Sequence, residues 1–321
     1  MKLFQWMFLC LCGLMQHASA QQINYYDYRY QLTHVGNARY YSVVLQTDSG
    51  CHRQDFLMQD TVMQMDGWFE DSAMKIRNGF FTYYHPNRQL KSMGAYKKNK
   101  KTGRWLSFHP NGMLDDSTVY NDEGKPVGVS LKFHPNGYPA DSTIRFADGT
   151  GVKVTWSDNG RQSSAGRLSA RGKPHGKWIY FHPNGVKSAE ETYDDSVLIG
   201  AKYFDEAERI MSEPTPAQPA RFRNGTADWS KYINGHLMWP KGYLLTNTDL
   251  AIVEVEWIVD EEGKVRDVEI TVPLARPFDN MVRNLMKGSP DWKPAIQNNR
   301  RLKTRMKQVI AFRQATEIRK N

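Results

Sequence analysis

Cysteine is scarce in this chain. There are three in 321 residues, and two of them, Cys10 and Cys12, fall within the first fifteen. If that leader is removed, Cys51 stands alone and no intramolecular disulfide can form. Its neighbour His52 does not make it a nucleophile, because catalytic pairs are set by the fold and not by adjacency. Long apolar runs are also missing beyond Leu3 to Met15, which spans 13 residues. At about 1.5 Å each, such a run does not cross a hydrocarbon core of about 30 Å. No Gly-rich phosphate loop and no nucleophile elbow is present, so no enzyme class is indicated. The formal net charge, +9, is a mild excess over so long a chain, and an exported protein without a further basic patch is not expected to bind nucleic acid.

What is present begins with the leader. Lys2 gives a basic start, the apolar run follows, and Ala18-Ser19-Ala20 is a cleavage pattern that places the mature start at Gln21. Residues 1–20 are expected to be a signal peptide and the protein periplasmic. The alternative is an inner-membrane anchor through an uncleaved N-terminus.

Internal repeats decide the architecture. His-Pro-Asn begins at His85, His109, His134 and His182, and Ser157-Asp158-Asn159-Gly160 fills the gap as a degenerate copy. An aromatic precedes each corner: Tyr84, Phe108, Phe133, Trp156 and Phe181. Five residues before each aromatic stands a glycine: Gly79, Gly103, Gly128, Gly151 and Gly176. Proline presets φ at the second turn position, asparagine suits the third and glycine accepts positive φ at the fourth. Each unit therefore predicts a hairpin with a type I turn and a bulge. Arg88 replaces the corner glycine in the first copy and predicts a strained or altered turn there.

Strand parity separates two faces. The third and fifth positions after each glycine are apolar nearly throughout and predict the core. The second and fourth are mixed, and Trp105, Trp178 and Tyr180 on that face are candidates for exposed, ligand-stacking aromatics or for burial against residues 21–78. The histidines are not expected to share a metal. Equivalent corners of stacked hairpins lie roughly 10 Å apart, against Zn–N bonds of about 2 Å. The sequence pairs Asp115-Asp116 and Asp194-Asp195 point to opposite faces and make no acid/base dyad. No metal or other cofactor is expected.

The Gly-x-Trp-x-x-Phe-His-Pro-Asn-Gly pattern resembles the MORN-repeat variant of antitoxin-like repeat proteins. The resemblance covers residues 79–205 as five hairpin copies. Residues 21–78 read as a β-rich segment with an earlier, degenerate copy around Phe56 to Met65. Residues 206–221 form a linker. Its stretch Glu213 to Pro219 carries prolines at 214, 216 and 219, which predict an extended path of roughly 20 Å and a domain boundary.

Beyond the linker, Ala227 to His236 predicts a short helix, and Ile252 to Val259 and Val265 to Val272 predict a hairpin turning on Asp260 to Gly263. Phe278 to Lys287 has helical spacing, and Leu302 to Phe312 predicts a last strand. Trp239-Pro240, the strand ending in Trp257-Ile258-Val259-Asp260, the turn Glu262-Gly263-Lys264-Val265 and Trp292-Lys293-Pro294 resemble the C-terminal domain of TonB proteins over residues 222–314, leaving 315–321 as a tail. The overall expectation is a mainly β chain: a tandem hairpin sheet followed by a small α+β domain.

In the last strand Leu302, Met306, Ile310 and Phe312 share one face and Arg301, Lys303, Arg305, Lys307 and Arg313 the other. Such a strand either resists edge aggregation or accepts a partner peptide by strand addition, favouring acidic partners. The TonB resemblance implies a peptide of an outer-membrane transporter as that partner. Arg301, Lys303, Arg305, Lys307, Arg313, Trp239 and Pro240 are the partner-binding candidates. The functional expectation is a non-enzymatic envelope protein that binds another protein, with transport-linked energy transduction as its furthest extension. The rival is a repeat scaffold or neutralising module whose C-terminal domain is accessory. No small-molecule substrate is indicated.

Overall fold

The structure, a computed structural model, describes residues 21–245 and 250–314. The leader assigned to residues 1–20 and the tail 315–321 lie outside the described residues. The chain is mainly β. Sixteen strands pair in unbroken chain order in one antiparallel sheet, from Gln21–Tyr26 to Ile210–Met211.

The corners follow from local turn chemistry. The N–H of His109 donates to the Met113 carbonyl and that of Gly112 to the His109 carbonyl, both at 2.8 Å, with Gly112 at φ 82°. Arg88 takes the same conformation at φ 72°, so the expected change of shape does not occur. The side chain tolerates a left-handed position because the two turn bonds at 2.8 and 2.9 Å hold it there. The register also extends past the five copies. Leu57 closes an earlier corner on Val62 at 2.8 Å, within the degenerate copy, and Asp205 closes a later one on Arg209 at 3.0 Å.

The assignment of the two faces is inverted relative to the sequence expectation. Trp105, Trp178 and Tyr180, candidates for exposed aromatics, are buried, as is Phe81 at an equivalent position. No residue of the supposed core face is buried: Leu106, Phe108, Phe133 and Ile179 are half-buried, and Leu131 is exposed. Two facts cause this. The sheet is a single layer, so an apolar face gains nothing by itself and needs a cover. Phe81, Trp105 and Trp178 on the other face also lie over a glycine of the strand before them. A Cβ on Gly67 would sit 2.2 Å from the Phe81 ring, on Gly94 2.4 Å from the Trp105 ring, and on Gly166 2.1 Å from the Trp178 ring. The indoles are fixed further by donating to main chain, Trp105 to the Ala95 carbonyl at 2.9 Å and Trp178 to the Arg167 carbonyl at 2.8 Å.

The C-terminal part has the expected elements. Helix α1 is Thr226–His236 and helix α2 is Arg276–Lys287. Three strands form a sheet in the order Val265–Val272, Leu250–Val259, Thr304–Arg313. Phe278, Val282 and Met286 of α2 pack on Ala251, Val253, Val255, Trp257 and Val259. Their spacing puts the first set on one helix stripe and the second on one strand face, which is why periodicity revealed both. The last strand begins later than expected. Arg300–Leu302 is a separate strand paired with Ala295–Gln297, because Asn298 and Asn299 adopt left-handed turns at φ 50° and 59°.

The proline-rich linker is not a free spacer. Gln218 and Ile296 exchange backbone bonds at 3.0 and 2.8 Å, and the Thr215 N–H donates to the Asn299 side chain at 2.7 Å.

Candidate functional site

The last strand pairs with Leu250–Val259 over its full length, from Leu250 opposite Arg313 to Val259 opposite Thr304. It is the outermost strand of its sheet. Among the described residues, no backbone group from Thr304 to Phe312 pairs along its other edge. Parity is as the sequence implies. Met306, Ile310 and Phe312 turn to the core and Arg305, Lys307 and Arg313 turn away.

The basic face, however, is largely spoken for. Lys307 lies 2.7 Å from Glu254 and Arg305 3.3 Å from Glu256, both carboxylates on the adjacent strand. Lys303 pairs with Asp158 of the repeat sheet and lies 3.9 Å from Glu261. Arg301 is exposed on the strand Arg300–Leu302, outside the last strand. Lys303, Arg305 and Lys307 thus neutralise the protein's own acids, which leaves the main-chain edge as the candidate contact. Trp239 and Pro240 are half-buried, and Trp239 packs against the core of the unit. The Trp239 indole donates to the Tyr243 carbonyl at 2.7 Å and its ring sits 5.1 Å from Phe278, while the Pro240 carbonyl accepts from the Tyr243 N–H at 3.2 Å. The cross-strand glutamates were missed from sequence, although Glu254 and Glu256 alternate within an apolar strand and mark its other face.

The repeat histidines have a lateral role. The Nε2–H of His85, His109, His134 and His182 donates to the carbonyl of Phe108, Phe133, Trp156 and Phe204 respectively, at 2.8–2.9 Å. The corner asparagines run parallel: Asn87 donates to the Pro110 carbonyl, Asn111 to Pro135 and Asn136 to Asp158, each at 2.7 Å. Each corner is thereby tied to the next. Among the described residues, no group of three His, Cys, Asp or Glu side chains is placed to hold a metal ion. Cys51 is buried, and that burial pushes its thiol pKa up, which makes it a poor nucleophile.

The C-terminal unit covers the ring-bearing face of the array. Val272 packs with Tyr26, Tyr40, Leu57 and Val62. His85 Nδ1 meets the Glu269 carboxylate at 3.0 Å. At the other end Asn299 donates to the Phe204 carbonyl at 2.7 Å, and the Asn298 carbonyl accepts from Ser188 at 3.1 Å. Arg300 is buried there, bonded to Ser163 and, at 3.3 Å, to the Phe181 carbonyl, with its guanidinium over the Tyr180 ring. Burial pulls the Arg300 pKa down to about 10. A crevice of about 570 Å³ lies between the first half of the array and the C-terminal sheet. The uncovered face of the array carries an apolar patch of Val127, Val129, Leu131, Ile144 and Phe146, all exposed.

No helix among the described residues is long and apolar enough to cross a membrane. Residues 174–195 match the MORN repeat variant. They comprise the strand Pro174–Phe181, its corner and the returning strand Lys187–Asp194, which is one hairpin of the array. None of the curated proteins matches the chain.

Proposed function

We propose that this repeat protein is a non-catalytic, exported binding protein, in which the array holds the C-terminal unit and that unit takes a partner peptide by strand addition along the last strand. The observation that carries the reading is the edge of the last strand, which from Thr304 to Phe312 is paired on one side only among the described residues. Such an edge offers a row of main-chain donors and acceptors to an extended segment. The order helix, hairpin, helix, strand, together with Trp292-Lys293-Pro294, supports likeness to the TonB C-terminal domain and hence an envelope partner such as an outer-membrane transporter. The leader at residues 1–20 supports periplasmic location. The short, fastened linker does not suit a long-reach energy transducer, so capture rather than transduction is the role proposed.

A second reading is favoured by the apolar patch around Val129 and Ile144. The array itself is then the docking surface, as in a scaffold or neutralising module. A photoreactive residue placed at Val309 or at Ile144 in the native cell envelope separates the two. Both positions are exposed. Adducts from Val309 support strand addition, whereas adducts from Ile144 alone overturn it. Mass spectrometry of the mature chain should find Gln21 at its start, and an intact leader would contradict the proposed release.

A further inference from the structure

The crevice between the array and the C-terminal sheet holds cations that the protein does not neutralise. Arg77 lies 4.2 Å over the Tyr96 ring. Its side-chain hydrogen bonds go to neutral oxygens, the Tyr96 hydroxyl at 3.0 Å and the Asn99 side chain at 3.3 Å. Lys101 stands directly opposite Tyr96 across the strand pair, with its ammonium 4.4 Å from the Trp105 ring and 5.4 Å from the Tyr120 ring. Among the described residues it has no hydrogen bond and no carboxylate within ion-pair distance. Both side chains line the crevice, as does the exposed Lys91.

The acids in and beside this space are engaged elsewhere. Asp55 is held by Arg53 at 2.7 Å and Asp116 by Thr118 at 2.8 Å and Lys132 at 3.6 Å. On the facing wall Glu254 and Glu256 are paired with Lys307 and Arg305. Ring faces attract a cation without cancelling its charge. Desolvation lowers the Lys101 pKa and repulsion from Arg77 adds to this, against an opposing pull from Asp116, which stands beyond ion-pair distance. The Tyr83 hydroxyl lies beside Arg77 and adds a donor.

We infer that this crevice binds an oxyanion-bearing small ligand, with Arg77 and Lys101 gripping its carboxylate or phosphate group. The aromatic cluster fixes the two cations in place before the ligand arrives, so little side-chain freedom is lost on binding. The proposal is independent of strand addition, which uses the main-chain edge of the last strand and not the Lys307 side chain that lines the crevice.

The test is calorimetric titration of the full chain with inorganic phosphate, D-glucuronate and, as the neutral control, D-glucose. Saturable one-site binding of phosphate or glucuronate, and none of glucose, is expected. Preference for phosphate assigns a phosphoryl ligand, and preference for glucuronate assigns a carboxylate. The double variant Arg77→Gln, Lys101→Gln should weaken binding by about tenfold or more, in keeping with loss of charged hydrogen bonds. Lys101→Arg keeps the charge and should bind within a few-fold of the parent, which separates charge loss from misfolding. Lys202→Gln, on an exposed strand of the array, should change nothing. The inference is overturned if neither anion binds, if binding survives the double variant, or if Lys101→Arg loses binding as fully as the double variant does.

Discussion

Gly94 lacks a side chain because the Trp105 ring occupies the space where one would go. The same pairing recurs as Gly67 with Phe81 and Gly166 with Trp178. Where the ring is replaced by Ser130 or Lys153, Thr118 or Thr143 stands on the preceding strand in place of the glycine, and both are buried. Glycine lies under each of the three rings, and where no ring is present a threonine fills the place of the glycine, so volume is roughly conserved across the strand pair. Gly94→Ala should therefore destabilise by about 1–3 kcal/mol through overpacking. Trp105→Ser should cost about 3–5 kcal/mol, the usual penalty for emptying a buried indole site. The double variant should lose less than the sum, read as coupling in a denaturant-melt cycle. Additive losses would contradict ring-over-glycine packing. The inverted faces have their cause at this scale too. Counting apolar residues by parity ranks Leu131 and Ile179 above Trp105, but only the strand register shows which side chain has a glycine beneath it.

The hairpin was legible as an element because its turn is local chemistry: proline, asparagine and glycine within four residues fix the corner. The lateral bonds were not legible, since His109 reaches the Phe133 carbonyl across 24 residues and nothing local indicates it. His109→Ala should strand that carbonyl and cost about 1–3 kcal/mol. An unchanged urea midpoint would show that the ladder is incidental. In the C-terminal unit, helix α2 starts with a buried carboxylate. Asp279 accepts from the Leu274 N–H at 2.9 Å, yet burial raises its pKa above the ordinary 3.8. The folded chain then holds this proton more tightly than the unfolded chain. The contribution to stability is fully present below the ordinary value and is lost as pH rises from there through the raised value. Asp279→Asn should remove that decline, so the variant's urea midpoint should fall less across the same window. Parallel curves would contradict the assignment.

At the scale of the molecule, the sequence suggested two bodies on a spacer, and the structure fastens them together. Prolines at 214, 216 and 219 indicate an extended path but not what lies beside it, and here it runs along the hairpin that carries Asn298, Asn299 and Arg300. That hairpin reads as an unremarkable polar turn in sequence, because its partners, Ser163, Ser188 and Phe204, are about a hundred residues away. Arg300→Ala should remove charged hydrogen bonds worth about 2–3 kcal/mol and split one thermal transition into two, array and C-terminal unit. A single transition at the parent temperature would show that the contact does not couple them.

The array holds the C-terminal unit by one face and by the Asn298–Arg300 hairpin, and leaves the edge from Thr304 to Phe312 clear among the described residues. The direct test is amide hydrogen exchange across that strand in the free protein and with a captured envelope partner. Alternate amides from Thr304 to Phe312 should exchange quickly when the protein is free and become protected in the complex, since every second residue points its N–H outward along an edge. Unchanged exchange there, with protection gained instead at Val127 to Leu131 and Ile144, would contradict strand addition and place the binding surface on the array.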